Sequence, residues 1–153
     1  MKMKIKMLLP LLLLFSVSLF AQGDKDKKEK REQIKALKVS FLTTELKLTA
    51  DESEKFWPVY NAYEEKQYKI RHDKMRQIIK KIDEVGTDKM SDKDALSYLN
   101  QFEDADEELF NLRKKLVADL KPIIGSARIL KLKKAEDDFN KKLLHKYKEN
   151  KKG

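Results

Sequence analysis

The side chains best suited to chemistry fall into three groups with different uses. Aromatic residues crowd into one stretch, Phe56, Trp57, Tyr60, Tyr63 and Tyr68, rimmed by lysines. Such a group offers broad apolar area with polar tips, the chemistry of protein contact rather than of bond making. At helical spacing Phe56, Tyr60 and Tyr63 share one face, whereas Trp57 and Tyr68 sit a quarter turn or more away, further round than one core stripe requires. These five residues are the candidate surface for a client protein or a second copy of the chain, with core packing as the competing use.

Carboxylates form the second group, at Glu103, Asp104, Asp106, Glu107 and Glu108 and again at Glu136, Asp137 and Asp138. Helical spacing pairs Glu103 with Glu107 and Asp104 with Glu108, but a hard cation wants many oxygens on a shaped loop, and a solvated face balanced by lysines is expected. The third group is two isolated histidines, His72 beside Asp73 and His145 in a basic stretch, both expected on the solvated surface. The chain has no cysteine and no glycine-rich phosphate loop. No catalytic residue, cofactor or metal ligand is expected, and the chain does not read as an enzyme.

Long helices must position these groups. Four glycines and three prolines leave little room for turns, and a 40% charged composition suits surface-rich helices. Breaks at Leu48-Thr49, Gly86 to Ser91 and Pro122 to Ser126 predict four of them. The first spans about 28–47, with Ile34, Leu37 and Phe41 on one stripe and Val39, Leu42 and Leu46 on the next. A face that wide wants more than one packing partner. The second runs from Thr49 to about Glu84, carrying Ile70, Met75, Ile78, Ile79 and Ile82 beyond the aromatics. Pro58 predicts an early kink there.

The third is capped by Ser91 with Asp94 in the reciprocal position, and should end before Pro122. Its stripe is Ala95, Leu99, Phe102, Leu109, Phe110, Leu116, Val117 and Leu120, interrupted by Asp106 and Arg113, which fix register or find partners on another helix. The fourth, from Ser126, places Ile129, Leu132, Phe139, Leu143 and Tyr147 at helical steps. No stretch alternates with period two, so the fold class is all-α, closed as a bundle or open as long hairpins that pair with a second copy. The wide face of the first helix favours the hairpins.

The first residues differ from the rest. Lys2, Lys4 and Lys6 precede an apolar run from Met7 to Phe20 that ends at Ala21-Gln22-Gly23, the layout of a secretory signal peptide. The run is short for a spanning helix and broken by Pro10, Ser16 and Ser18. Residues 1–21 are therefore read as a leader cut after Ala21, with Gly23 as the alternative. Residues 22–153 remain as one all-helical domain with a lysine-rich C-terminal tail. Without cysteine the chain has neither disulfides nor the attachment residue of a lipoprotein. The leader holds three lysines and no acids, so its loss takes the net charge from +9 to +6. In an exported protein that balance implies a modest attraction to anionic envelope surfaces, and no nucleic-acid partner is expected.

Leu48-Thr49-Ala50-Asp51-Glu52 resembles the LTxxQ signature of the periplasmic Spy and CpxP proteins, with Glu52 where the family has glutamine. Phe56-Trp57-Pro58-Val59-Tyr60-Asn61-Ala62-Tyr63-Glu64, and the later run from Leu130 to Phe139 with Leu143-Leu144, resemble the Bacteroidota branch, periplasmic stress proteins or sensors linked to extracytoplasmic-function sigma factors. The resemblance implies a periplasmic, antiparallel homodimer of long bent helices, a cradle that binds unfolded clients without ATP. It equally implies an adaptor docking on a membrane sensor kinase or anti-sigma system. Zinc-responsive relatives use histidine-rich segments, which this chain lacks, so a metal-responsive periplasmic protein stands as a third reading that rests on the carboxylate clusters alone. The second motif copy departs from the pattern, because Ile124-Gly125-Ser126-Ala127-Arg128 has neither threonine nor glutamine, so no joint role for the two copies is expected. The first copy, Leu48, Thr49 and Glu52, also reads as a helix cap in which Thr49 and Glu52 bond each other's amides.

Overall fold

The structure, a computed structural model, describes the backbone of residues 8–150 and the side chains of residue 23 and residues 25–149. The side chains of the leader expected over residues 1–21 lie outside the described residues. Helix α1 spans Leu8–Leu46 and α2 spans Ala50–Tyr68. A π-helical stretch, Lys69–Met75, leads into α3, Arg76–Val85; a single 3-10 turn, Thr87–Lys89, then precedes α4, Asp92–Asn150. The fold is all-α, with no strand among the described residues.

Local chemistry explains each junction. Lys47 adopts a left-handed conformation (φ 50°) at the end of α1. The amides of Lys47 and Leu48 then reach back to the carbonyls of Thr44 and Thr43, at 3.2 Å each, closing the helix over a left-handed residue. Thr49 begins α2 at once. Its hydroxyl accepts from the Glu52 amide (3.2 Å), while its own amide donates to Glu52 Oε2 (3.1 Å), the expected reciprocal cap. At the far end Gly86 (φ 78°) stops α3 and donates to the Ile82 carbonyl at 2.8 Å. Ser91 caps α4, accepting from the Asp94 amide at 3.1 Å and donating to the Asp94 carboxylate at 2.6 Å.

Two expectations drawn from proline fail for one reason. Helix α2 runs unbroken through Pro58, and α4 continues past Pro122, so the third helical stretch does not end before it. A helical proline orphans the carbonyl four residues back, here those of Glu54 and Ala118, and both residues are exposed, where water can serve the oxygen. The break in α4 falls instead at Gly125, whose φ of 75° and ψ of 162° no helix allows. Arg128 Nε donates to the freed Ile124 carbonyl at 3.0 Å.

The bend at Gly125 is sharp. Arg113 and Glu136 lie about 18 Å and 17 Å along the two arms at 1.5 Å per residue, yet their side chains meet at 3.1 Å. The first arm of α4 therefore runs antiparallel to α2 and α3, pairing Arg113 with the Tyr63 ring and Lys74 with Glu108. The second arm runs antiparallel to α1, with Lys134 near Glu45 and Phe139 against Phe41 at 5.7 Å between ring centres. Two arms thus fold back side by side from a joint where the α1–α2 turn meets the α4 bend.

The core fills the region next to that joint. It gathers Leu42 and Leu46, then Phe56, Tyr60 and Tyr63, then Leu116, Leu120 and Ile124, then Ile129, Leu132 and Ala135. The two stripes of α1 divide: Leu42 and Leu46 are buried, whereas Leu37 is half exposed. Farther out, the α3–α4 hairpin buries only Ile78 and Ala105. Leu99, Phe110 and Val117, expected in the core stripe of the third helical stretch, are exposed, as are Ile79 and Tyr147. A pair of helices has no third element to cover the outer half of its apolar faces.

Candidate binding surface

Of the five aromatic residues, the fold buries three. Phe56 stacks on Tyr60 at 5.3 Å, and both lie with Tyr63 inside the core, so none of the three offers surface to a partner. The same face that spacing had grouped is the one turned inward. Tyr60 is 1% exposed, yet its hydroxyl is satisfied, donating to Glu136 Oε1 at 2.8 Å. Arg113 Nη1 closes the group from the other arm, 3.1 Å from Glu136 Oε2. Burial, reinforced by the carboxylates of Glu136 and Glu64, pushes the Tyr60 phenol far above its usual range. Gln67 donates to the Tyr63 hydroxyl at 2.7 Å. Arg113 thus finds the partner its place in an apolar stripe called for, while Asp106 is exposed. Glu136, grouped by sequence with a solvated acidic cluster, turns inward instead.

Trp57 and Tyr68 remain accessible. They line a groove of about 310 Å³ between α1, α2 and the second arm of α4, with Phe139 and Leu143 also in its lining. Ion pairs cross it from α1 to α2, Arg31 to Glu65 and Lys38 to Glu64, both at 2.7 Å. The Arg31 guanidinium lies 3.8 Å from the Tyr68 ring centre, and the His72 ring stacks on that tyrosine at 4.3 Å. Two groups so close to one ring centre must occupy opposite faces. His72 is exposed as expected, but it extends an aromatic strap rather than standing alone.

The capping residues do more than cap. Arg128 grips both oxygens of Glu52, Nη1 to Oε2 at 2.7 Å and Nη2 to Oε1. These are the last positions of the two motif-like segments, so the segments meet although the second has lost the threonine and the glutamine. The hydrogen bond from Arg128, with that from the Thr49 amide, holds the Glu52 carboxyl down at about 2. Sequence reasoning missed this pair because its members lie 76 residues apart. The signal was the opposite charge of the two residues standing where one polar type was expected.

Among the described residues no group of three histidine or carboxylate side chains converges to hold a metal ion. Glu108 pairs with Lys74, Asp138 with Lys134 and Glu136 with Arg113. What the surface offers is apolar area. On the α3–α4 hairpin Leu96 and Leu99 are 56% and 58% exposed, with Ile79 and Val85 nearly as open. No family model, curated protein or solved structure matches the chain.

Proposed function

We propose that this is an envelope-stress protein of the Spy and CpxP type, exported to the periplasm, that binds exposed apolar segments of unfolded proteins without ATP. The observation that carries this reading is the α3–α4 hairpin, where Ile79, Val85, Leu96 and Leu99 lie open on two helices that bury little else. Open aliphatic area on a narrow, adaptable support suits many partners, since no single shaped pocket fits all of them. The same deficit favours an antiparallel homodimer, in which a twin hairpin covers part of that area and the remainder forms a cradle.

The test adds the protein to a chemically denatured, aggregation-prone client. Suppression of light scattering near equal molar ratio is expected, and Leu96→Ser with Leu99→Ser should abolish it while leaving the circular dichroism unchanged. Undiminished scattering with the unaltered protein would refute the reading. The groove at Trp57 and Tyr68 favours a second reading, a signalling adaptor for one membrane sensor, because it is shaped and strapped by fixed ion pairs. Capture from envelope extracts separates the two: an adaptor returns one stoichiometric partner that Trp57→Ala abolishes, a chaperone a diffuse set.

A further inference from the structure

Charge is distributed unevenly along the molecule. Residues 24–38 hold seven Lys or Arg against four Asp or Glu, and residues 139–153 hold six lysines against one glutamate. Residues 39–138, the rest of the chain after the leader, hold 19 basic against 21 acidic residues. The whole positive excess therefore belongs to two segments far apart in sequence. Where the structure describes them, their inner ends lie side by side, because the second arm of α4 runs antiparallel to α1: Leu37 and Lys146 line one depression, and Lys35 and Leu143 line one groove.

Lys142 rests on the Phe41 ring and, with Lys141, adds to the positive field on Asp138. None of Lys141, Lys142 and Lys146 forms an ion pair with a described residue. Compensation of the helix dipole accounts for basic residues in the last turn only, and of these lysines it reaches only Lys148. Apolar side chains are set among them. Leu144 is 61% exposed and Tyr147 46% exposed. Lys141, Leu144 and Lys148 follow at three- and four-residue steps, so they form one stripe on the outer side of the helix. A basic helical face carrying a leucine and a tyrosine suits a layer whose headgroups are negative and whose interior is apolar. Among the described residues no helix is long and apolar enough to cross a bilayer.

We propose that this end of the molecule, the face of Lys141, Leu144, Tyr147 and Lys148 on the arm that packs beside Lys35 of α1, is a docking surface for anionic phospholipid bilayers. The surface would hold the protein at the membrane. This inference stands whether or not the α3–α4 hairpin binds clients.

The test is vesicle flotation with the protein purified from the envelope of the producing cell. Vesicles of phosphatidylcholine containing phosphatidylglycerol should float it at low salt and release it at high salt, and pure phosphatidylcholine vesicles should not float it. Each surface lysine contributes about fivefold to partitioning, so Lys141→Glu with Lys148→Glu should weaken binding by on the order of 25-fold or more. Leu144→Ser should weaken it about tenfold through the lost apolar contact. The matched reversal on the α3–α4 hairpin, Lys81→Glu with Lys89→Glu, should leave most of the binding intact. Equal, salt-resistant flotation on both vesicles would overturn the proposal by assigning attachment to the Met7–Phe20 run. An equal loss from the hairpin reversal would overturn it as well, because net charge alone would then suffice.

Discussion

Replacing Tyr60 with phenylalanine isolates the contact that ties the second arm of α4 to α2. The ring stays, so packing against Phe56 and Trp57 is kept, and only the hydroxyl that donates to Glu136 is lost. A hydrogen bond to a charged group contributes about 1.5–3 kcal/mol, and Arg113 remains on Glu136 to limit the damage. The expected cost is therefore about 2 kcal/mol at neutral pH, a Tm about 8 °C lower for a domain of this size. Removing Glu136 instead, as Glu136→Leu, strands both the Tyr60 hydroxyl and the Arg113 guanidinium and should cost about 3 kcal/mol. Urea titrations of the three proteins give both numbers.

The pH dependence makes a sharper test. Tyr60 holds its proton in the folded state far above the value of 10.0 it has when unfolded. Its contribution is then fully present below pH 10 and fades as pH rises above it, because the unfolded chain ionises first. By pH 11 the unfolded state of the unaltered protein gains about 1.4 kcal/mol that the Phe variant does not. The difference between the two proteins should shrink from about 2 kcal/mol at pH 8 to well under 1 kcal/mol at pH 11. Tyr63, whose phenol burial also pushes up, titrates in both proteins and cancels. Parallel stability curves from pH 8 to 11 would show that the hydroxyl is not held as described.

Four further outcomes follow from the same geometry. Glu52, held down at about 2 from an ordinary 4.5, stabilises the fold above pH 4.5 and loses that contribution as pH falls toward 2; Glu52→Gln should flatten this acid limb, and the carboxyl chemical shift should titrate near 2. Thr49→Ala removes the side chain that caps α2 and should cost about 1 kcal/mol by urea denaturation. Gly125→Ala forces a side chain into a backbone region only glycine adopts easily, costing about 2 kcal/mol, and by favouring a straighter α4 it should raise the radius of gyration in small-angle scattering. Leu132→Ala opens a cavity in the core and should cost about 2–5 kcal/mol, the largest single loss here.

What could be read from the sequence was whatever chemistry acts within a few residues. The cap at Thr49 and Glu52, the cap at Ser91 and the stop at Gly86 each depend on neighbours along the chain, and each stands where expected. Spacing also grouped Phe56, Tyr60 and Tyr63 on one face, but periodicity does not say whether a face looks inward or outward. That depends on α1 and the second arm of α4 closing over it. The prolines misled for a similar reason, since the cost of Pro58 and Pro122 falls on carbonyls whose access to water only the folded chain decides.

The joint shows most clearly how distance hides a design. Glu52 or Arg128 alone would look like a departure from a polar motif, and each would be a charge held only a third exposed or less. Set together, they bind the turn between α1 and α2 to the bend of α4, two of the three places where the described chain reverses. Thr49 and Ile124, the backbone groups left open by those reversals, are both served by the same pair, through Glu52 Oε2 and Arg128 Nε. One ion pair thus caps one helix, relieves the break in another and fixes the point from which both arms run. The apolar hairpin is carried by α3 and the first arm of α4, and the basic end by α1 and the second arm, so each surface has its own helical support.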